Sequence, residues 1–380
     1  PCRMMNLLLT GSVAFVISFI AIPTIIRVAD EKGLFDLPDA RKLHTKPIAS
    51  LGGVGIFIGF LLSLLLSISL QQAPEFQYFY AAAVLMFFLG IKDDILVLSP
   101  SKKFLGQLLA AGIVIHLGGI RIDSMHGFLG ITDLPDAISY PLTYVTIVVI
   151  VNAFNLIDGI DGLAGSLGIL TTAVFGAYFT MAGMPSYALL SFAFTGALCA
   201  FLVYNYHPAK IFMGDSGSLL LGLVNAILVI KFITVADSVN GSFPITSSVA
   251  IGFSILLVPL LDTLRVFTVR ISKGRSPFSP DRNHIHHLLL DRGLNHSQVT
   301  LICLLINVSF IALAYVGRSM GSTILLCSMV SASYALVVLL QYWRKRPVMV
   351  VASTSHAAVG ENKGSKIVAF KNDEAAVAEQ

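Results

Sequence analysis

The residues best placed to do chemistry lie in Asn152–Gly165, which reads NAFNLIDGIDGLAG at the end of a long apolar run. Asn152, Asn155 and Asp158 fall three residues apart, so a helix continuing through them puts all three on one face. Asp161 follows, and Gly159, Gly162 and Gly165 allow the backbone to turn before the next apolar run. Carboxylates and carboxamides together suit a hard cation. Magnesium takes oxygen ligands and is often held through one or two carboxylates plus substrate phosphates. Taken alone, the stretch could equally be a polar turn between helices.

Four further clusters carry the same kind of residue. DLPDARKLHTKPIASLGG at 36–53 offers Arg41, Lys42 and His44 to an anionic headgroup or phosphate. GIKDD at 90–94 sets Asp93 beside Asp94, where mutual repulsion raises one pKa unless a cation or base is near. That suits a metal site or a general base. Lys103 and Gln107, four apart, share a face of the next helix. In NYHPAKIFMGDSGS at 205–218, Pro208 stops one helix and Gly214-Asp215-Ser216-Gly217-Ser218 opens another. A helix N-terminus of this composition favours phosphate or a metal-bound anion, although a plain N-cap by Asp215 or Ser216 also fits. SPFSPDRNHIHHLLLDRG at 276–293 gathers His284, His286 and His287 with Arg282. It lacks a cysteine or carboxylate at zinc spacing and fits nucleotide or phosphate contacts better.

The elements that position these residues are membrane helices. The chain has 380 residues, 56% hydrophobic and 12% charged, against about 25% charged in an average soluble domain. Its mean hydropathy is +0.82. These values predict an all-α polytopic membrane protein. A span needs about 20 mostly apolar residues. Eleven stretches qualify, near 6–27, 51–70, 76–91, 103–119, 137–154, 163–182, 185–204, 216–234, 245–268, 298–316 and 321–342. The first lacks a small-residue cleavage site and reads as a span, not a signal peptide. Cys2, Cys199, Cys303 and Cys327 are scattered, with no CxxC pair, and read as packing residues.

Lysine and arginine mark the cytoplasmic side. They crowd the loops after the first, third, seventh, ninth and eleventh stretches and nearly vanish from the alternate loops, Arg121 and Arg318 excepted. This phase puts the N-terminus outside, the C-terminus inside and all five clusters on the cytoplasmic face. Residues 120–136 are too polar to span and predict a strand or hairpin on the outer face. Residues 1–347 form one membrane domain, and 348–380 form a cytoplasmic tail. There is no internal repeat. The five clusters together describe a site open to cytosol and inner leaflet, with carboxylates for a metal and bases for phosphorylated substrates. Carboxylates alone would repel an anion, so a divalent cation is called for.

From about residue 6 to 343 the chain resembles the polyprenyl-phosphate N-acetylhexosamine-1-phosphate transferases. Asp93-Asp94, NAFNLIDGIDGLAG, Asn205 with PAKIFMGDSGS, and the HIHH loop occur in that family's order. DRNHIHH is similar to the WecA-type branch. The peptidoglycan-precursor branch carries a PIHHHFE-like run, absent from this sequence. The family often has Pro-Arg before the LGG turn, where this chain has Ala49-Ser50.

The resemblance implies transfer of GlcNAc-1-phosphate from UDP-GlcNAc to undecaprenyl phosphate, releasing UMP, as the first membrane step toward O-antigen or enterobacterial common antigen. It implies Mg²⁺, for which Mn²⁺ can substitute, eleven spans, a homodimer in the bacterial inner membrane, and no nucleic-acid partner. It assigns Asp215, Asn155 and Asp94 to the metal, and Asp93, Asp94, Asp158 and Asp161 to catalysis. Lys103, Arg41, His44 and Asn205 go to the lipid phosphate and diphosphate. Arg282, His284, His286, His287 and Asn152 go to the sugar nucleotide.

The expected chemistry is a single displacement, with an aspartate nucleophile as the alternative. The donor could be another UDP-N-acetylhexosamine. An anion transporter would place its ionisable groups near the midplane, whereas here they gather at one interface. A non-catalytic scaffold has no use for so many carboxylates and histidines.

Overall fold

Long apolar runs with helix signals at their ends dictate helices. The computed structural model, which describes residues 2–33, 35–36, 48–237, 243–272, 274 and 285–342, is almost wholly helical. In order come α1 (Cys2–Lys32), β1 (Phe35–Asp36), β2 (Ile48–Ala49), α2 (Gly52–Ser67), α3 (Phe76–Leu96) and α4 (Pro100–Gly112), which ends in a π turn, Ile113–Leu117. Then follow β3 (Ser124–Phe128), β4 (Ile131–Asp133), α5 (Asp136–Ile157), α6 (Leu163–Met181), α7 (Pro185–Asn205) and α8 (Gly214–Ala236). The chain continues as α9 (Ser248–Ile255), α10 (Leu257–Ser272), α11 (Ile285–Leu290), α12 (His296–Val316) and α13 (Ser322–Tyr342). Pro100 and Pro185 stand in the first turns of α4 and α7, where a missing N–H leaves no bond unmade. α12 opens on a capping box in which the Asn295 side chain accepts from the Gln298 N–H and the Gln298 side chain accepts from the Asn295 N–H.

Each of the eleven apolar stretches is helical. By length and composition, seven helices among the described residues can cross a membrane, and the bent pair α9 and α10 would make an eighth. The chain is a multi-pass membrane protein. At sixteen residues, α2 is apolar but shorter.

The core is built around α8, which is apolar all round beyond its first turn, and every residue from Ser216 to Ile230 is buried. It is enclosed by α2, α3, α5 and α6, with α1 and α7 packed outside α2. Three glycines let its neighbours touch it backbone to backbone. A Cβ on Gly53 would fall 2.2 Å from the Gly217 nitrogen, one on Gly90 2.3 Å from the Ser216 Cα, and one on Gly222 2.5 Å from the Val151 Cα. In lipid, where apolar surfaces gain little from meeting each other, such close packing supplies much of the attraction between helices.

The 120–136 segment forms the expected hairpin, β3 pairing antiparallel with β4. It lies at the bundle end opposite the start of α4. The two basic residues that break the charge phase are both engaged there. Arg121 pairs with Asp136 at 2.6 Å, and the Arg318 guanidinium sits 4.3 Å from the centre of the Tyr315 ring.

One stretch differs from expectation. Residues 245–268 do not form a single straight helix; the chain bends by 83° between α9 and α10. The break leaves backbone groups unpaired inside the bundle, and Asn307 of α12 takes up both sides. Its Nδ2 donates to the Ile255 carbonyl at 2.9 Å, and its Oδ1 accepts from the Val258 N–H at 3.1 Å. Asn307 is fully buried, and irregular backbone in a membrane bundle depends on such internal partners. Asn307→Leu should therefore destabilise the fold by roughly 1–3 kcal/mol for each group left unpaired. Thermal unfolding in detergent checks this, and an unchanged midpoint would mean that the groups find other partners.

Candidate active site

The site begins with a clasp between two loops. The Phe212 N–H donates to the Ala49 carbonyl at 2.8 Å, while Gly52 and Gly53 donate back to Phe212 and Met213 at 2.9 and 2.8 Å. The departure at Ala49-Ser50 thus falls where the backbone makes the contacts. Gly214 follows with φ +71, and a Cβ there would fall 2.2 Å from the Ser50 carbonyl oxygen. Only glycine fits both the conformation and the space.

α8 starts at this point, with its first N–H groups lacking intrahelical partners. They are satisfied from another helix. Asp94 Oδ1 accepts from the Asp215 N–H at 2.7 Å, and its Oδ2 accepts from the Ser216 N–H at 3.0 Å. Neither Asp215 nor Ser216 is the N-cap. Met213 occupies that position and makes no side-chain cap bond. The carboxylate opposite a helix N-terminus is also favoured by the helix dipole. Both Asp94 oxygens are engaged in seating α8.

The centre of the cluster is Lys103, at the start of α4. Its ammonium lies 2.9 Å from Asp93 Oδ2 and 3.0 Å from Asp215 Oδ2, and donates to Asn155 Oδ1 at 3.3 Å. Asn155 Nδ2 in turn donates to Asp215 Oδ1 and, at 2.9 Å, to the Ser218 hydroxyl. Asp93 Oδ1 accepts from the Leu98 N–H at 2.6 Å, closing the end of α3. One turn deeper, Gln107 and Asn152 pair amide to amide, Asn152 Nδ2 donating to Gln107 Oε1 at 2.8 Å. The expected shared face of Lys103 and Gln107 thus meets the shared face of Asn155 and Asn152. α5 ends at Ile157, so Asp158 stands just past the helix and not within it.

Asp158 is partly open to solvent but faces the carboxylates of Asp215, Asp94 and Asp161. Burial first, then those charges, push its pKa up to about 8. Asp161 behaves oppositely. Burial raises its pKa, but bonds from His296, His207 and the Ala209 N–H outweigh that and hold it near 2. His207 Nδ1 lies 2.7 Å from Asp161 Oδ2, and His296 Nδ1 lies 3.3 Å from Oδ1.

Asn205, expected at the lipid phosphate, is buried. Its Oδ1 accepts from the Gly162 N–H at 2.9 Å and its Nδ2 donates to the Ile211 carbonyl at 2.8 Å. It ties the α5–α6 loop to the segment before α8. Arg41, His44, Arg282 and His284 lie outside the described residues, as does the 348–380 tail. The backbone of His286 and His287 lies in α11, whose first N–H, on Ile285, donates to the buried Asp262 of α10 at 2.7 Å.

His207 and His296 carry no local signal that would mark them as partners of Asp161. His207 stands inside NYHPAKIFMGDSGS as a lone imidazole before Pro208. His296 follows Asn295, whose capping box with Gln298 marks a helix start that the hydropathy run places two residues later.

Asp93 and Asp215 thus share the one ammonium of Lys103, with the carboxylates of Asp94 and Asp158 close to Asp215. The donors around Lys103 are all oxygens, which fits Mg²⁺ or Mn²⁺ and not a nitrogen- or sulfur-seeking ion. They do not form a closed cage. Among the described residues, three carboxylate or imidazole donors converge only at Asp161, His207 and His296. Such a partial oxygen site leaves positions for phosphate oxygens.

Comparison with known proteins agrees with this geometry. Residues 76–233, from α3 through α8, match the model for glycosyl transferase family 4. The chain is 34% identical to a probable undecaprenyl-phosphate N-acetylglucosaminyl 1-phosphate transferase of Bacillus subtilis, over 81% of this chain and 85% of that protein. It is 34% identical to a decaprenyl-phosphate N-acetylglucosaminephosphotransferase of Mycobacterium tuberculosis, over 78% and 79% of the two chains. It is 32% identical to an undecaprenyl-phosphate alpha-N-acetylglucosaminyl 1-phosphate transferase of Yersinia pestis, over 77% and 78%. A membrane-embedded glycosyl-1-phosphate transferase is the class that fold, cluster and relatives define together. The chain belongs to glycosyl transferase family 4, in its WecA-type branch.

The raised Asp158 pKa has a measurable consequence. Its folded value, about 8, lies above the ordinary carboxylate value of 3.8. The folded state then binds a proton that the unfolded state releases, so stability falls as pH rises from about 4 to about 8. In divalent-free detergent buffer, the thermal midpoint should drop across that window. Asp158→Asn should flatten the drop; the same slope in the variant would locate the effect elsewhere.

Proposed function

We propose that the chain transfers GlcNAc-1-phosphate from UDP-GlcNAc to undecaprenyl phosphate, giving undecaprenyl-pyrophosphoryl-GlcNAc and UMP. The observation that carries this reading is Lys103 clamped between Asp93 and Asp215 beside Asn155, at one end of the bundle. That arrangement supports phosphoryl chemistry at a membrane surface, and the names of the relatives from Bacillus subtilis and Yersinia pestis supply acceptor and sugar. The Mycobacterium tuberculosis relative, named for decaprenyl phosphate, favours a second reading in which only the lipid length differs.

In the mechanism, an oxygen of the lipid phosphate attacks the β-phosphorus of the sugar nucleotide. A new P–O bond forms there, and the bond to the bridging oxygen breaks, releasing UMP. The lipid phosphate, with a second pKa of about 6, is largely ionised at neutral pH. Asp93 then has at most one proton to accept. Asp158, three residues beyond Asn155, is the alternative acceptor. Lys103 orients the phosphates and offsets their charge. Asp94 keeps Asp215 aimed at the cluster. Asp215 and Asn155 would hold Mg²⁺, or Mn²⁺ in its place. Bound there, the ion would neutralise charge on the diphosphate and on the departing UMP.

Arg41 and His44 are assigned to the lipid phosphate. Arg282, His284, His286, His287 and Asn152 are assigned to the sugar nucleotide. In this reading all eleven stretches cross the inner membrane, the site faces the cytoplasm, the enzyme is a homodimer, and its product starts O-antigen or enterobacterial common antigen.

The test is to incubate the purified chain with undecaprenyl phosphate, Mg²⁺ and UDP-GlcNAc and identify the released nucleotide. UMP is expected, and Asp215→Asn should lower its release by about 10²-fold or more. Release of UDP would mean sugar transfer without phosphate and overturn the mechanism. UMP released only from another UDP-N-acetylhexosamine would change the donor and leave the chemistry standing.

A further inference from the structure

We propose that Asp262 is a positioning residue that, from inside α10, fixes the helix carrying His286 and His287 and so sets the fit of the sugar nucleotide. This role deepens the assignment of those histidines to the nucleotide and rests on it. Asp262 is almost fully buried in a largely apolar helix. An ionisable side chain is expensive to keep there and calls for a purpose. Its Oδ1 accepts from the Ile285 N–H at 2.7 Å, across 23 residues of chain. Hydrogen bonds to a carboxylate are stronger than neutral ones. Ile285 is the first residue of α11, and His286 is the next.

α11 needs such an anchor. It has six residues, and a helix that short does not hold itself together. Its first N–H groups lack partners within the helix. Ile285 and Leu289, four apart, are both buried and set one side of α11 against the bundle. At the far end the Arg292 guanidinium donates to the Leu288 carbonyl and to the Leu340 carbonyl near the end of α13. There the Gly293 N–H also donates to the Leu290 carbonyl at 2.8 Å. α11 is thus gripped at both ends, and the grip at the histidine end is Asp262.

α10 also packs against α5, the helix that carries Asn152 and Asn155. Asp262 therefore ties the histidine-bearing helix to the wall of the bundle that holds the oxygen cluster. A substrate bound across the two must fit both, and misplacing one by about an ångström is felt in that fit. Asp262 acts through α11 and is separate from the carboxylates around Lys103.

The experiment uses the full chain in detergent with Mg²⁺. It measures UDP-GlcNAc binding without lipid acceptor, together with hydrogen exchange of the α11 amides. Asp262→Ala should weaken UDP-GlcNAc binding about tenfold, the worth of one bond to a charged group, and speed exchange across α11. Asp262→Asn, which keeps an acceptor oxygen, should recover most of the loss. If Asp262→Ala does not fold, Ile285→Pro removes the same bond at a first helical position, where proline is tolerated, and carries the same expectation. In the His286→Ala, His287→Ala double variant, adding Asp262→Ala should cost little more, because the effect runs through those residues. Unchanged binding in Asp262→Ala, or a full second loss on top of the double histidine variant, overturns the proposal and leaves the nucleotide assignment standing. Undiminished binding in the double histidine variant itself overturns that assignment, and the proposal with it.

Discussion

Two N–H groups at the start of α8 meet the carboxylate of Asp94, and the arrangement of the site depends on that meeting. The helix is enclosed by its neighbours through contacts too close for side chains, so its first turn has little freedom along its own axis. Asp94 fixes what remains. Because Asp215 is one of the two residues whose N–H is held, the same bond that caps the helix aims the acidic side chain at Lys103. Asp93, adjacent in sequence, points into the cluster from the same helix end. Neighbouring carboxylates that looked interchangeable are divided by geometry, one seating the start of α8 and one reaching Lys103.

The charge balance follows from that division. Lys103 is shared between Asp93 and Asp215, which leaves the region acidic. A protein can relieve such an excess by protonation or by a cation. Asp158 shows the first response in the protein alone, and the oxygen-only donors favour the second. Asp161 lies three residues further on, yet its histidine partners hold it ionised. The short loop between α5 and α6 therefore carries two aspartates of opposite behaviour.

Much of this could be read in the sequence, because carboxylates and carboxamides are rare at the ends of apolar helices and their presence needs a reason. NAFNLIDGIDGLAG and MGDSGS were visible on those grounds, as were the helices. What could not be read was pairing at long range. Asp94 and Asp215 are 121 residues apart, and nothing local says that one caps the helix of the other. Asn205 stands in a polar motif, and nothing local says that both ends of its amide bind backbone. The bend at Leu256 was hidden because hydropathy registers composition and not direction. Asn307, a lone amide in an apolar run, was the sign of it.

The shortness of α2 bears on the lipid around the enzyme. Its sixteen residues rise about 24 Å, against a hydrocarbon layer of roughly 30 Å. In the proposed eleven-span arrangement this helix carries Gly53, which touches the first turn of α8, so its end is pinned beside the carboxylates and it cannot slide to share the deficit. In that arrangement the bilayer would yield instead, thinning locally at modest cost. The headgroups beside α2 would then be drawn inward. A long-chain polyprenyl phosphate arriving there would meet a dimple in the leaflet that lowers its phosphate toward the cluster before any protein atom touches it.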